Sequence, residues 1–246
     1  MQLSDSGGGL SEPEERQRAV ERLREAAHEI RRPLGVGLGY VAMLLEGQLG
    51  PLSDAQRMAV LQIHGKLTEA HRQLEQQLLL GRLDTGSVVP AMRRLDLVGE
   101  VESAVARAEA AAELRGATMT FNRPSGPILA FADGSLLARI LDNVLDNALA
   151  SAQGAPRVVV EAGVADRPFV RICDEGNGVD PALHEHIFAR GFRADPNRSG
   201  SGLGLFLSRQ AAEHIGASLW LEWSQPGQGS CFRLDLSPSP PSPDRT

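Results

Sequence analysis

Two long apolar stripes dominate the first third of the chain. Between about Pro13 and Glu46, apolar or small residues fall at Val20, Leu23, Ala27, Ile30, Leu34, Gly37, Val41 and Leu44, in steps of three and four. That spacing keeps them on one side of a helix and makes a coiled-coil-like seam. Gly47 to Pro51 breaks the pattern, Ser53 and Asp54 offer a helix cap, and a second seam runs through Val60, Ile63, Leu67, Ala70, Leu74 and Leu78. Two such helices form a hairpin, and an isolated hairpin cannot surround its own apolar stripe. Two copies joined as a dimeric four-helix bundle bury it, so a homodimer is expected.

From about Gly86 the pattern changes. Short β-like runs at Arg93–Leu97, Thr118–Phe121, Val158–Glu161, Phe169–Cys173, Ser218–Trp223 and Ser230–Leu234 alternate with helical stretches near 98–115, 133–152 and 203–215. This is the pattern of an α/β sandwich. Asp133 opens its helix in ADGSLLARI, where a carboxylate can cap free backbone N–H groups. The Gly/Ser-rich start and the Pro/Ser-rich SPSPPSPDRT end lack the apolar residues that offset ordering entropy. The expected division is a disordered segment 1–12, a helical domain 13–85, a linker 86–91, an α/β domain 92–236 and a disordered tail 237–246.

Composition closes off several classes of function. A formal charge of -6 leaves no polybasic footprint for nucleic acid or anionic lipid. The apolar runs fall short of the ~20 residues of a membrane helix, and MQLSDSGGGLSEPEER is not a signal peptide, so no membrane insertion and a cytoplasmic location are expected. Cys173 and Cys231 are far apart, without CxxC or Cys/His metal spacing, and read as reduced. His64, His71, His184, His186 and His214 show no ligand spacing and receive no role.

Four clusters in the second part carry chemistry. In LDNVLDNALASA, Asn143 and Asn147 stand four apart and share a helix face. Neutral amide oxygens there can coordinate Mg²⁺ or meet phosphate, although two solvated helix residues would explain the pair alone. In ICDEGNGVD, Asp174 ends a strand and is followed by Gly176 and Gly178. A carboxylate there can accept from a base amine while glycine backbone passes close to a planar ring; a plain turn is the simpler account of it in isolation. In IFARGFRA, the apolar anchors Ile187, Phe188 and Phe192 bracket a polar stretch, as in a lid, with Arg190, Arg193 and Arg198 able to meet phosphate or simply to line a surface loop. In GSGLGLFLSRQAAEH, Gly200, Gly202 and Gly204 precede an apolar-periodic helix, whose free N–H groups form an anion cradle. The Walker lysine is absent, and Leu205 stands where a dinucleotide-binding glycine would be, so P-loop and Rossmann readings are disfavoured.

The order and spacing of these clusters resemble the N, G1, F and G2 boxes of the histidine-kinase ATPase domain, a GHKL (Bergerat) ATPase fold. The resemblance implies that Asn147 binds Mg²⁺, Asn143 contacts the ATP phosphates or the metal's surroundings, and Asp174 reads the adenine amine. It also implies that Gly176, Gly178, Arg193, Gly200, Gly202, Leu203 and Gly204 line the nucleotide pocket and its lid. AAHEIRRPLGV in the first helix is similar to the family's phosphoacceptor box, which makes His28 the expected nucleophile and Glu29 its hydrogen-bond partner and proton acceptor. Pro33 is expected to kink that helix, and Gly35, Gly37 and Gly39 either soften it or permit close packing.

The resemblance therefore implies a two-component histidine kinase that autophosphorylates His28 from ATP with Mg²⁺ and passes the phosphoryl group to a response-regulator receiver domain. Departures from the family pattern qualify it. Arg32 replaces the Thr or Asn that positions water in the family's phosphatase reaction, so weak phosphatase activity is expected. Ala150 and Ser151 stand where a basic residue and a Tyr are common, so modest ATP affinity is expected. They also keep open the alternative of a non-catalytic histidine phosphotransfer or scaffold protein with a degenerate ATP domain. A protein serine kinase of the same fold needs no phosphoacceptor helix, and HEIRRPL disfavours it. The two domains consume the length, so the expected input is a separate sensor protein or a ligand acting on the core.

Overall fold

The computed structural model describes residues 12–86, 88–151, 157–193 and 201–240, and within α1 it describes side chains at Arg18 and from Glu29 onward. The terminal segments 1–11 and 241–246, the lid stretch with Arg198 and Gly200, and the side chain of His28 lie outside the described residues. The chain divides into two units, Met1–Val88 and Val89–Thr246.

The first unit is a helical hairpin of α1 (Glu12–Leu45) and α2 (Asp54–Asp84). Gly47 and Gly50 take positive φ, 76° and 102°, a conformation open to a residue without Cβ. α2 begins with a reciprocal capping box. The Gln56 amide donates to the Ser53 hydroxyl at 3.3 Å, and the Ser53 amide donates to the Gln56 side-chain oxygen at 2.9 Å. Across the hairpin, Arg31 Nε donates to Glu75 at 2.8 Å, and a Cβ at Gly37 would lie 3.6 Å from Leu67. Gly35 and Gly39 face open space, so only Gly37 serves close packing between α1 and α2. α1 continues through Pro33, which leaves the Glu29 carbonyl without its usual helical donor. Val41, Leu79 and Leu80 are buried, whereas the seam residues Ile30 and Ile63 stay 49% and 51% exposed, beside the exposed Val36, Tyr40 and Met58. The hairpin leaves much of its apolar surface uncovered.

The second unit is a two-layer α/β sandwich. Its five-stranded sheet runs β2 (Thr118–Asn122), β4 (Arg157–Val164), β5 (Pro168–Asp174), β7 (Gly229–Asp235), β6 (Ser218–Gln225). β2 and β4 are parallel and the remaining pairs antiparallel. Helices α3 (Leu97–Leu114), α4 (Gly134–Ala150) and α5 (Gly204–His214) supply the other layer. Alternation along the strands sends Val158, Val160, Val170, Ile172, Phe232 and Leu234 into the core, where they join Leu137, Ile140, Leu141, Val144, Leu145 and Leu149 of α4. The opposite sheet face carries a charged cluster. There Glu222 lies 2.6 Å from Arg171 and 3.4 Å from Arg233, and both guanidinium groups stand over the Phe169 ring.

Two features differ from the sequence reading. A short strand, β3 (Leu129–Ala132), pairs antiparallel with β1 (Arg93–Asp96) as a separate two-stranded sheet. Cys173 and Cys231, expected to be reduced, are joined as a disulfide, because the β5–β7 register makes them direct Cα partners despite 58 residues of separation. None of the described helices is long and apolar enough to cross a membrane.

Candidate functional site

α4 is fixed at its start by Asp133, whose Oδ1 accepts from the amides of Ser135 at 2.8 Å and Leu136 at 3.1 Å and from the Ser135 hydroxyl at 2.6 Å. Its Oδ2 accepts the Ala91 amide at 2.7 Å, which ties the helix to the chain entering β1. Burial pushes this carboxyl up, but the Ser135 hydroxyl and the amides of Ala91, Leu136 and Ser135 outweigh it and hold it below the ordinary aspartate value. One side of α4 is apolar and buried, from Leu136 to Leu149. Asn143 and Asn147 lie at its margin, each partly accessible. The Asn143 side-chain amide donates to the hydroxyl of Ser208 on α5 at 3.2 Å, which leaves its carbonyl oxygen as an acceptor.

Asp174 ends β5 and is only 2% exposed. A carboxylate so buried needs donors. Its Oδ1 lies 2.5 Å from the Ser151 hydroxyl and accepts the Gly176 amide at 2.9 Å. The glycines that follow are dictated by close approach. A Cβ at Gly176 would run into the Ser151 hydroxyl and the Asp174 carboxylate. Gly178, with φ 65°, packs against the Gln225 carbonyl, where a Cβ would collide. The Gly227 amide donates to Asn177 at 2.7 Å, and the Ser224 hydroxyl receives the Val179 amide at 2.8 Å, so the β6–β7 turn braces this loop.

Ile187 and Phe188 are buried, the latter edge-on to Phe232 with centroids 6.2 Å apart. Arg193 is exposed at the edge of the lid stretch. Gly202 has φ 68°, and a Cβ there would meet the backbone of Gly191 and Phe192 at 2.7 Å, so the backbone at Gly202 packs directly against that at Gly191 and Phe192. α5 begins at Gly204 with Leu203 as N-cap residue and no side-chain cap. Just ahead of it the Leu203 amide donates to the Ser201 hydroxyl at 3.3 Å, and a helix N-terminus of this kind suits phosphate oxygens.

The structure brings Asn143, Asn147, Asp174, Gly176, Gly178, Gly202, Leu203 and Gly204 into one set of contacting elements around α4, β5 and α5. His28 and Glu29 belong to α1 of the other unit, where Glu29 is exposed. Sequence reasoning missed what Ser151 and Ser208 do. Ser151 was visible only as a missing Tyr, and Ser208 only as a residue on an apolar-periodic helix.

Residues 20–86 match the model of the His Kinase A (phospho-acceptor) domain, and residues 132–240 match that of the histidine kinase-, DNA gyrase B-, and HSP90-like ATPase. The sensor histidine kinase MtrB of Mycolicibacterium paratuberculosis is 31% identical over 218 residues, which take in 86% of this chain and 38% of that protein. The sensor protein DivL of Caulobacter vibrioides is 31% identical over 95% of this chain and 30% of its own length. The chain thus spans well under half of these relatives. Among solved structures, full-length ShkA in complex with AMPPNP shares the fold with a TM-score of 0.64 and 24% identity, covering 89% of this chain and 45% of that one. With a phosphoacceptor hairpin followed by an ATPase-type sandwich, in the order of both family models and over most of its length, this chain belongs to the histidine kinases.

Proposed function

We propose that this chain is the catalytic core of a two-component histidine kinase, which autophosphorylates His28 from ATP and passes the phosphoryl group to a response-regulator aspartate. The observation that carries the reading is the convergence of a buried, doubly anchored Asp174, the amide pair Asn143 and Asn147, and an α5 N-terminus without a side-chain cap. The donor set suits ATP with Mg²⁺. Asp174 accepts from the base amine, the α5 amides and Gly202–Gly204 receive phosphate oxygens, and Asn147 offers the metal a neutral oxygen. Bound Mg²⁺ supplies charge neutralisation on the transferring phosphoryl group. The exposed Arg193 would add positive charge near the phosphates.

The His28 imidazole supplies the lone pair that forms the new N–P bond while the bond from the γ-phosphorus to the leaving ADP oxygen breaks. Glu29 holds the ring and takes its proton. Exposed Ile30, Val36, Tyr40, Met58 and Ile63 support a homodimeric four-helix bundle, since a second hairpin would cover what the first leaves open. The test is incubation with γ-labelled ATP. Acid-labile, base-stable label should form on the wild type and be absent from His28→Ala and from Asn147→Ala, and retained label in both variants would refute the mechanism.

A further inference from the structure

We propose that Ser151 is a positioning residue for nucleobase recognition: its hydroxyl aims the Asp174 carboxylate and thereby sets the preference for adenine over a base without the exocyclic amine. The proposal rests on the reading of Asp174 as the adenine acceptor. Asn143, Asn147 and Ser151 follow one another at four-residue steps, so they form a single polar stripe along ~12 Å of α4. At one end of the stripe Asn143 meets Ser208, and at the other Ser151 meets Asp174. On the proposed reading, the amides serve the phosphate end of the site and the serine the base end.

The physical argument starts from the carboxylate. The last torsion of an Asp side chain is broad and roughly two-fold, so an unanchored carboxyl group turns freely. Here Oδ1 is held from two directions, by the Ser151 hydroxyl at 2.5 Å and the Gly176 amide at 2.9 Å. Two donors on one oxygen fix the plane of the group, and with it the direction of Oδ2. The serine is itself fixed. It is 9% exposed, it closes α4 as C-cap residue, and its carbonyl accepts the Asn177 amide at 3.0 Å, so helix end and loop move as one piece. No larger group fits between them, because a Cβ at Gly176 would fall on both the hydroxyl and the carboxylate.

The Ser151 hydroxyl also lies 2.7 Å from the Ala148 carbonyl, and it has one proton to give. A charged acceptor makes the stronger bond, so the carboxylate takes that proton. Were the hydroxyl only a helix-end cap on Ala148, its loss would weaken every nucleotide alike. Positioning of Asp174 predicts instead a loss confined to bases that carry the amine.

The experiment measures dissociation constants of ADP and inosine diphosphate, whose base carries an oxygen in place of the amine, by calorimetry on the full chain. Wild type, Ser151→Ala, Ser151→Cys and Asp174→Asn are compared, with thermal melting of each. Ser151→Cys keeps the volume but donates weakly, and guards against misfolding of the alanine variant. Loss of a hydrogen bond to a charged group predicts about tenfold weaker ADP binding in both Ser151 variants, with inosine diphosphate changed less than about twofold. An unchanged ADP preference in both Ser151 variants, or an equal loss for the two nucleotides, overturns the proposal. If Asp174→Asn keeps the wild-type preference, the adenine reading itself fails. If Asp174→Asn erases the preference while the Ser151 variants keep it, only the role of Ser151 fails.

Discussion

Asp133→Ala should destabilise the ATPase unit by about 2 kcal/mol at neutral pH. The magnitude follows from the four hydrogen bonds that the carboxylate accepts. Losing the N-cap contacts to Ser135 and Leu136 costs about 1 kcal/mol. Freeing the Ala91 amide costs about 1 kcal/mol more, at the low end of the range because Ala91 is exposed and water replaces part of the bond. For a unit of this size that is a fall of roughly 4–8 °C in melting temperature. Urea unfolding followed by tryptophan fluorescence reports on this unit alone, because the chain's two tryptophans, Trp220 and Trp223, both lie on β6. The pH dependence gives a second constraint. Asp133 is held below its ordinary value of 3.8, so its contribution is fully present above that value and is lost as pH falls through the lower, folded value. The gap between wild type and Asp133→Ala should therefore narrow in acid. Asp133→Asn retains a capping oxygen and should lose less at pH 7. A variant within about 0.5 kcal/mol of wild type, or a gap that stays constant from neutral to strongly acidic pH, would refute the reasoning.

Gly178→Ala places a Cβ at φ 65° against the Gln225 carbonyl, so the β6–β7 turn has to shift. The backbone cost is about 1–2 kcal/mol, and calorimetry should show ADP affinity at least about tenfold weaker; wild-type affinity would contradict the bracing role of that turn. Arg32 is exposed on α1 where the family's water-positioning Thr or Asn is common. Wild-type protein should therefore dephosphorylate a phosphorylated receiver domain slowly and Arg32→Thr faster, as followed by loss of label from the receiver, and rapid wild-type turnover would defeat this expectation.

The parts of the site that could be read from sequence are those whose geometry is set within a few residues. Helical periodicity alone places Asn143 and Asn147 on one face, and Asp133 before an apolar helix announces its own cap. β3 is four residues long and its partner β1 lies more than thirty residues earlier, so neither length nor local pattern marks it. The Cys173–Cys231 pair depends on the register of β5 against β7, which two isolated cysteines do not encode. Ser151 shows the same limit at the level of function. Set against the family pattern it reads as a lost aromatic side chain, which predicts only weaker ATP binding. Its partner Asp174 is 23 residues away, and the two meet because α4 ends where β5 does. A missing side chain and a new hydrogen bond are indistinguishable in sequence, and they predict different things. The first weakens binding through lost contact area, while the second sharpens the choice of base through a better-aimed carboxylate.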